Sequence, residues 1–312
     1  MKFRRHLAIA LATLFPGGPL VPNGFAENEA TRKDEIARIF ADAVAKASRP
    51  RGPELDRGRG LIAFDAKHAT YEKGPHWGRW RWPEFTGDRW GMYQVEVTYV
   101  SVVTRMGMQF SIGEHKAKGY LPQTGSMETE KTVVLDRVYV PDTKTYAVSA
   151  LTGDDSNNDT FRLLRVDLRP APEGDGVAQD FDGGIILPAN KATTFSRRMR
   201  FEPKPEKNCL GFWTETGDWA EWLFSVHEGG RFTVQLHHGC GPGNGGSEVE
   251  VWINDKKHAF TVADTGGFQS WKAVDLGVVE LTEGDHRVVI TPVSKAKSAV
   301  LDVQKLVLVP QG

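Results

Sequence analysis

The stretch NCLGFWTETGDWAEW, residues 208–222, sets three tryptophans, Trp213, Trp219 and Trp222, around a Gly-Asp turn. Directly after it the chain alternates. In EWLFSV (221–226), Trp222, Phe224 and Val226 share one face by the two-residue period of a strand, and that face is expected to be core. Trp219 sits beside the turn and is expected to cover the sheet end. Trp213 lies farther out in the loop beside Phe212, and these two rings are the candidates for an exposed platform.

The same alternation runs outward from this stretch in both directions. MYQVEVTYV (92–100), GMQFSI (107–112), KTVVLDRVYV (131–140), TYAVSAL (145–151) and FRLLRVDL (161–168) precede it. RFTVQLHH (231–238), EVEVWI (248–253), HAFTVA (258–263), KAVDLGVVEL (272–281), HRVVITPV (286–293) and SAVLDVQKLVLV (298–309) follow it. Between the two sets, RPAPEGDGVAQDFDGG reads as a linker. The two sets also align with each other at an offset near 140 residues: Tyr93 on Phe232, Met108 on Val249, Thr124 on Thr265 and Leu135 on Leu276. The expectation is an all-β chain of two tandem jelly-roll β-sandwiches, 61–170 and 185–312, joined by 171–184 and related by a diverged duplication.

The N-terminal residues belong to neither set. Lys2, Arg4 and Arg5, the apolar run LAIALATLF and the small residues Gly24 and Ala26 read as a secretory signal peptide over 1–26, which implies a secreted or periplasmic protein. Ile36, Ile39, Phe40, Ala43, Val44 and Ala47 recur at helical spacing. Residues 27–60 are therefore expected to form one amphipathic helix (30–47), packed on the nearest domain or bound to a partner, followed by the linker SRPRGPELDRGRG. A net charge of -1, with 25% charged residues, gives no basic field of the kind a general polyanion binder needs to hold a phosphate backbone, so no nucleic-acid partner is expected. In an oxidising compartment Cys209 and Cys240 are candidates for a bridge, with two buried thiols as the alternative.

Gly217-Asp-Trp219, Glu228-Gly-Gly-Arg-Phe-Thr-Val234, Asp264-Thr-Gly-Gly-Phe-Gln-Ser-Trp271 and Thr282-Glu-Gly-Asp-His-Arg-Val288 form an ordered series. Over residues 184–310 that series resembles the β-sandwich carbohydrate-binding modules of family 6 and family 35 type. With the Gly239-Cys-Gly241 turn, it most resembles the accessory C-terminal domain of secreted bacterial sulfatases and fucosidases. The resemblance implies ring positions at Phe212 and Phe268. It also implies an Asn before the last strand, where this chain has Val300, and acidic calcium ligands, of which Asp302 alone remains.

Two further clusters carry chemistry. HWGRWRW (76–82) interleaves Arg79 and Arg81 with three tryptophans. Trp77, Arg79 and Trp80 are candidates for binding a sulfated or uronic polysaccharide, the alternative being an Arg–Trp ladder that stiffens a sheet. GDDSNNDT (153–160) offers Asp154, Asp155, Asn157 and Asp159 as a calcium site, or an ordinary polar hairpin loop. The sequence holds no HExxH, CxxC pair, phosphate loop or nucleophile elbow. The leading expectation is a non-catalytic exported glycan-binding protein. A structural protein docking on a cell-envelope partner, or a glycan-active lyase or hydrolase, are the alternatives.

Overall fold

The computed structural model describes residues 53, 55–153, 159–174 and 176–312. The signal peptide and the helix expected before residue 50 lie outside the described residues, as do Asp154, Asp155 and Asn157. Among the described residues no helix is long and apolar enough to cross a membrane.

The fold is all-β. Nine strands build the first pair of sheets: Ile62–Asp65 (β1), Thr70–Lys73 (β2), Trp77–Thr86 (β3), Gly91–Ser101 (β4), Arg105–Ile112 (β5), His115–Pro122 (β6), Lys131–Val140 (β7), Thr145–Gly153 (β8) and Phe161–Pro170 (β9). One sheet runs β1-β9-β4-β7, the other β2-β3-β8-β5-β6. Their inner faces meet in a core that includes Trp80, Trp82, Tyr93, Val95, Phe110 and Phe161. Alternation dictates this packing: in β4, Tyr93, Val95, Val97 and Tyr99 turn inward, while Gln94, Glu96 and Thr98 turn out.

The second pair is built from Val177–Ala178 (β10), Ile185–Pro188 (β11), Thr193–Phe195 (β12), Arg200–Glu202 (β13), Cys209–Gly211 (β14), Trp219–Val226 (β15), Gly230–Cys240 (β16), Glu248–Ile253 (β17), Lys256–Thr261 (β18), Gly267–Leu281 (β19), Gly284–Ser294 (β20) and Asp302–Pro310 (β21). One sheet runs β10-β15-β20-β17-β18 with β12 also on β15. The other runs β13-β14-β21-β16-β19 with β11 also on β21. Reading β11, β12 and β15–β21 in place of β1, β2 and β3–β9 reproduces both sheets of the first sandwich. Only β10, β13 and β14 are extra.

The match extends to single hydrogen bonds. Thr124 Oγ1 accepts from Ser101 N–H and donates to the Ser101 and Ser126 carbonyls. Thr265 Oγ1 does the same with Cys240 and Gly267. Trp82 Nε1 donates to the carbonyl of Asp65, the last residue of β1, at 2.8 Å, and Trp222 Nε1 donates to Pro188, the last residue of β11, at 2.8 Å. Each indole buries its ring in a core and satisfies its N–H at the same corner.

Two stretches expected to be linkers are tied down. β10 adds in parallel to β15, and Gln179 Oε1 accepts from the His227 and Glu228 N–H groups. Residues 55–60 strap the second sandwich. Arg57 pairs with Glu221 at 2.9 Å, Arg59 with Asp218 at 2.8 Å and with Glu215. Trp219 Nε1 donates to the Asp56 carbonyl, and Leu55 packs with Phe195, Trp219 and Val289. Gly60, at φ 78°, lies where a Cβ would collide with the Ser196 backbone, so the close approach requires glycine.

Candidate functional site

The expected ring platform of the second sandwich is not formed. Trp213 is fully buried. Its Nε1 donates to the Asp218 carbonyl at 3.1 Å and its own carbonyl accepts from Val300 N–H at 2.8 Å. The loop folds its tryptophan inward because the buried Val300 and Leu301 offer it an apolar bed. Phe212 does emerge, 43% exposed, on a backbone of φ 58° that swings the ring out of β14. Its face is already occupied: the Arg200 guanidinium lies 3.4 Å from the centroid of Phe212 and 3.4 Å from that of Trp90, which belongs to the first sandwich. Trp90 and Phe212 meet edge to face at 5.6 Å. Burial holds the Arg200 pKa down to about 10. Beside this joint, the buried Arg89 donates to Thr194 Oγ1 and Ser196 Oγ at 2.8 and 3.0 Å. Of the two rings before the Gly-Asp-Trp turn, Phe212 therefore couples the two sandwiches and Trp213 packs inside the second.

Phe268 is half-buried, its ring seated where a Cβ on Gly241 would touch it at 2.5 Å. Its neighbour Gln269 reaches Asp302 Oδ2 at 3.2 Å. Asp302 belongs to a buried group with Glu202 and Cys209 whose ligand atoms all lie within 4.8 Å of one another. Among the described residues this donor set could hold a metal ion, but an internal cation already serves it: Lys207 Nζ stands 2.7 Å from Glu202 Oε1. Burial, reinforced by Glu202, raises the Asp302 carboxyl to about 7, and burial pushes the Cys209 thiol up strongly. With the Cys209 thiol protonated and Lys207 paired to Glu202, the cluster resembles a satisfied internal network. Of the two arrangements open to Cys209 and Cys240, a bridge or buried thiols, the structure has two buried free thiols. Each points at an oxygen instead, Asp302 Oδ2 at 3.7 Å and the Gly241 carbonyl at 3.8 Å.

The first sandwich presents the open site. Trp77, Arg79 and Arg81 occupy alternate positions of β3 and face outward, whereas Trp80 and Trp82 turn into the core. Trp80 is 7% exposed and cannot serve as a ligand platform. The Trp77 ring packs against Gly74 at the turn between β2 and β3, and Arg79 lies 5.0 Å over that ring. Arg81 is held by Glu72. Trp77 and Arg79 line a groove of about 300 Å³ with Gly107, Gln109, Leu151 and Gly153. A Cβ at Gly153 would meet nothing within 4 Å, so the floor is open there. Tryptophan, arginine and an amide over a glycine floor can take a sugar ring by its apolar face and an anionic substituent by the guanidinium. The calcium cluster expected at 154–159 lies outside the described residues except for Asp159. The glycines were the signal missed in the sequence: a glycine inside a strand marks a place where another group comes close to the backbone.

The family described as "Domain of unknown function (DUF5077)" matches residues 195–311, less than half of the chain. No curated protein matches it. Among solved structures, a family 35 carbohydrate-binding module from Clostridium thermocellum is similar at 16% identity and a TM-score of 0.34, covering 41% of this chain and 98% of the module. The C-terminal family 6 module of a marine laminarinase from Zobellia galactanivorans matches at 14% identity and a TM-score of 0.34, covering 40% of this chain and 98% of that one. A β-(1,4)-mannanase from Podospora anserina, which joins a glycoside hydrolase of family 26 to a family 35 module, matches at 14% identity and a TM-score of 0.30. That match covers 42% of this chain and only 28% of the mannanase, so the chain spans less than a third of that enzyme's length.

Proposed function

We propose that this is an exported, non-catalytic protein that binds a sulfated or uronic polysaccharide, and that its two sandwiches are diverged copies of one carbohydrate-binding-module-like unit. The observation that carries the reading is the pairing of a half-exposed indole, Trp77, with a guanidinium, Arg79, above an open glycine-lined groove. The motif likeness of residues 184–310 to the accessory domain of secreted sulfatases and fucosidases fits the same role. In this reading the second sandwich anchors the first through Trp90, Arg200 and Phe212. The test is affinity electrophoresis of the mature chain through gels containing polygalacturonate, a sulfated galactan or a neutral galactan. Retention is expected, and Trp77→Ala abolishes it; no retention on any gel, or unchanged retention of the variant, overturns the reading.

A second reading rests on the joint itself. Rings that a sugar-binding loop would expose are spent on packing one sandwich against the other, as in a structural protein that docks on a cell-envelope partner. Copurification of a specific envelope protein, together with absence of glycan retention, favours that reading.

A further inference from the structure

The registers of the outward sheet carry the Trp77 groove beyond its near wall. Trp77 pairs with Gly153, and Gly107 pairs with Tyr120. On the central strands β8 and β5, which run antiparallel, Gly153 follows Thr152 and Gly107 precedes its partner Met108, so the two glycines fall opposite each other. One row across four neighbouring strands therefore reads Trp77–Gly153–Gly107–Tyr120. At the usual strand spacing its two rings stand on backbones about 14 Å apart. Tyr120 is 61% exposed, and its ring edge lies where a Cβ on Gly107 would touch it at 3.8 Å. Each ring carries its own arginine: Arg79 at 5.0 Å from Trp77, and Arg105 at 3.5 Å from Tyr120. The next two rows read Arg79–Leu151–Gln109–Lys118 and Arg81–Ser149–Ser111–Lys116. These rows bring four cations to one face, where Glu72 pairs with Arg79 in register and forms its ion pair with Arg81.

We infer that this face is a two-ended trough for a linear acidic polysaccharide, lying across the strands from Trp77–Arg79 to Tyr120–Arg105. The inference rests on the glycan-binding reading above and adds its far end, its direction and its charge. A ring beneath a guanidinium holds it in place and leaves its donor edge for a carboxylate or sulfate. The two glycines remove the side chains that would keep a sugar off the backbone. The flanking Lys116 and Lys118 are exposed and extend the positive field along the chain's path. A neutral polysaccharide would leave Arg79, Arg105, Lys116 and Lys118 without an anion to meet.

The experiment uses the mature full-length chain on the same three gels, with Tyr120→Ala, Arg105→Gln, Arg79→Gln and Gly153→Val, each first shown to melt cooperatively. A Cβ at Gly153 meets nothing within 4 Å, so Gly153→Val, once shown to melt like the wild type, separates loss of the trough from loss of the fold. Retention on polygalacturonate or the sulfated galactan is expected to fall about tenfold for each Arg or Tyr variant. It should disappear in Gly153→Val and weaken as salt rises past about 0.1 M. Whichever acidic gel retains the protein names the anion. If Trp77→Ala abolishes retention while Tyr120→Ala and Arg105→Gln do not change it, the trough is wrong and the Trp77 groove stands. Equal retention on neutral galactan overturns the acidic ligand. No retention at all overturns the glycan reading and the trough with it.

Discussion

Replacing Asp302 by Asn tests whether this buried carboxyl of β21 titrates near neutrality. Burial first, then the neighbouring Glu202, raise this carboxyl from 3.8 to about 7. The folded protein therefore holds the Asp302 proton more tightly than the unfolded chain does. The stabilisation is complete below the unfolded value of 3.8 and is lost as pH climbs to about 7. Each unit of that window is worth about 1.4 kcal/mol. Between about pH 5 and pH 7, with allowance for partial ionisation at the upper end, the wild type loses on the order of 2 kcal/mol relative to Asp302→Asn. The carboxamide keeps an oxygen for Gln269 Nε2 and the Cys209 thiol, which reach Asp302 Oδ2 at 3.2 and 3.7 Å, and it has no proton to lose. The assay is urea unfolding followed by tryptophan fluorescence at several pH values, both proteins in parallel, with unchanged denaturant slopes as the check on compactness. The variant should gain on the wild type steadily as pH rises. A difference between the two proteins that stays constant with pH refutes the reasoning.

Trp213→Ala removes a fully buried indole and should cost about 3–5 kcal/mol in the same assay. Phe212→Ala frees the Arg200 guanidinium from one ring and should cost about 1 kcal/mol while leaving polysaccharide retention untouched, which assigns that ring to the joint. Gly60→Val drives a side chain into the Ser196 backbone at φ 78°. It should release residues 55–60, seen as faster proteolysis at Arg57 and Arg59 and a redder Trp219 emission. The native protein should leave both thiols unreactive toward an aromatic disulfide reagent and show two on unfolding, because Cys209 and Cys240 are buried and unbridged.

Alternation made most strands legible in the sequence. The runs at 131–140 and 248–253 coincide with β7 and β17, and those at 92–100 and 161–168 lie inside β4 and β9. β6 escaped because its outward positions are lysines and its inward ones include the small Ala117, so no apolar period shows. Tyr120 was hidden with it. Trp80 could have been assigned correctly: it is three residues from Trp77 and one from Arg79, so a strand must turn it to the opposite face. Trp213 could not have been. Its burial depends on Val300 and Leu301, nearly ninety residues later, and on a loop carbonyl that meets Val300 N–H. The strap was unreadable for the same reason. Pro, Gly and Arg in alternation describe a solvated connector equally well until the carboxylates of Asp218 and Glu221 are seen to face them.

The strap makes the two halves inseparable. The residues that complete the C-terminal sandwich stand ahead of the N-terminal one, with more than a hundred residues between them. An excised fragment beginning at Ile185 would leave Asp218, a carboxylate with no solvent exposure, without its guanidinium, and would strip the lid from Trp219. Such a fragment should be soluble only poorly, and a protease nick near Arg57 would loosen the far end of the molecule before the near one.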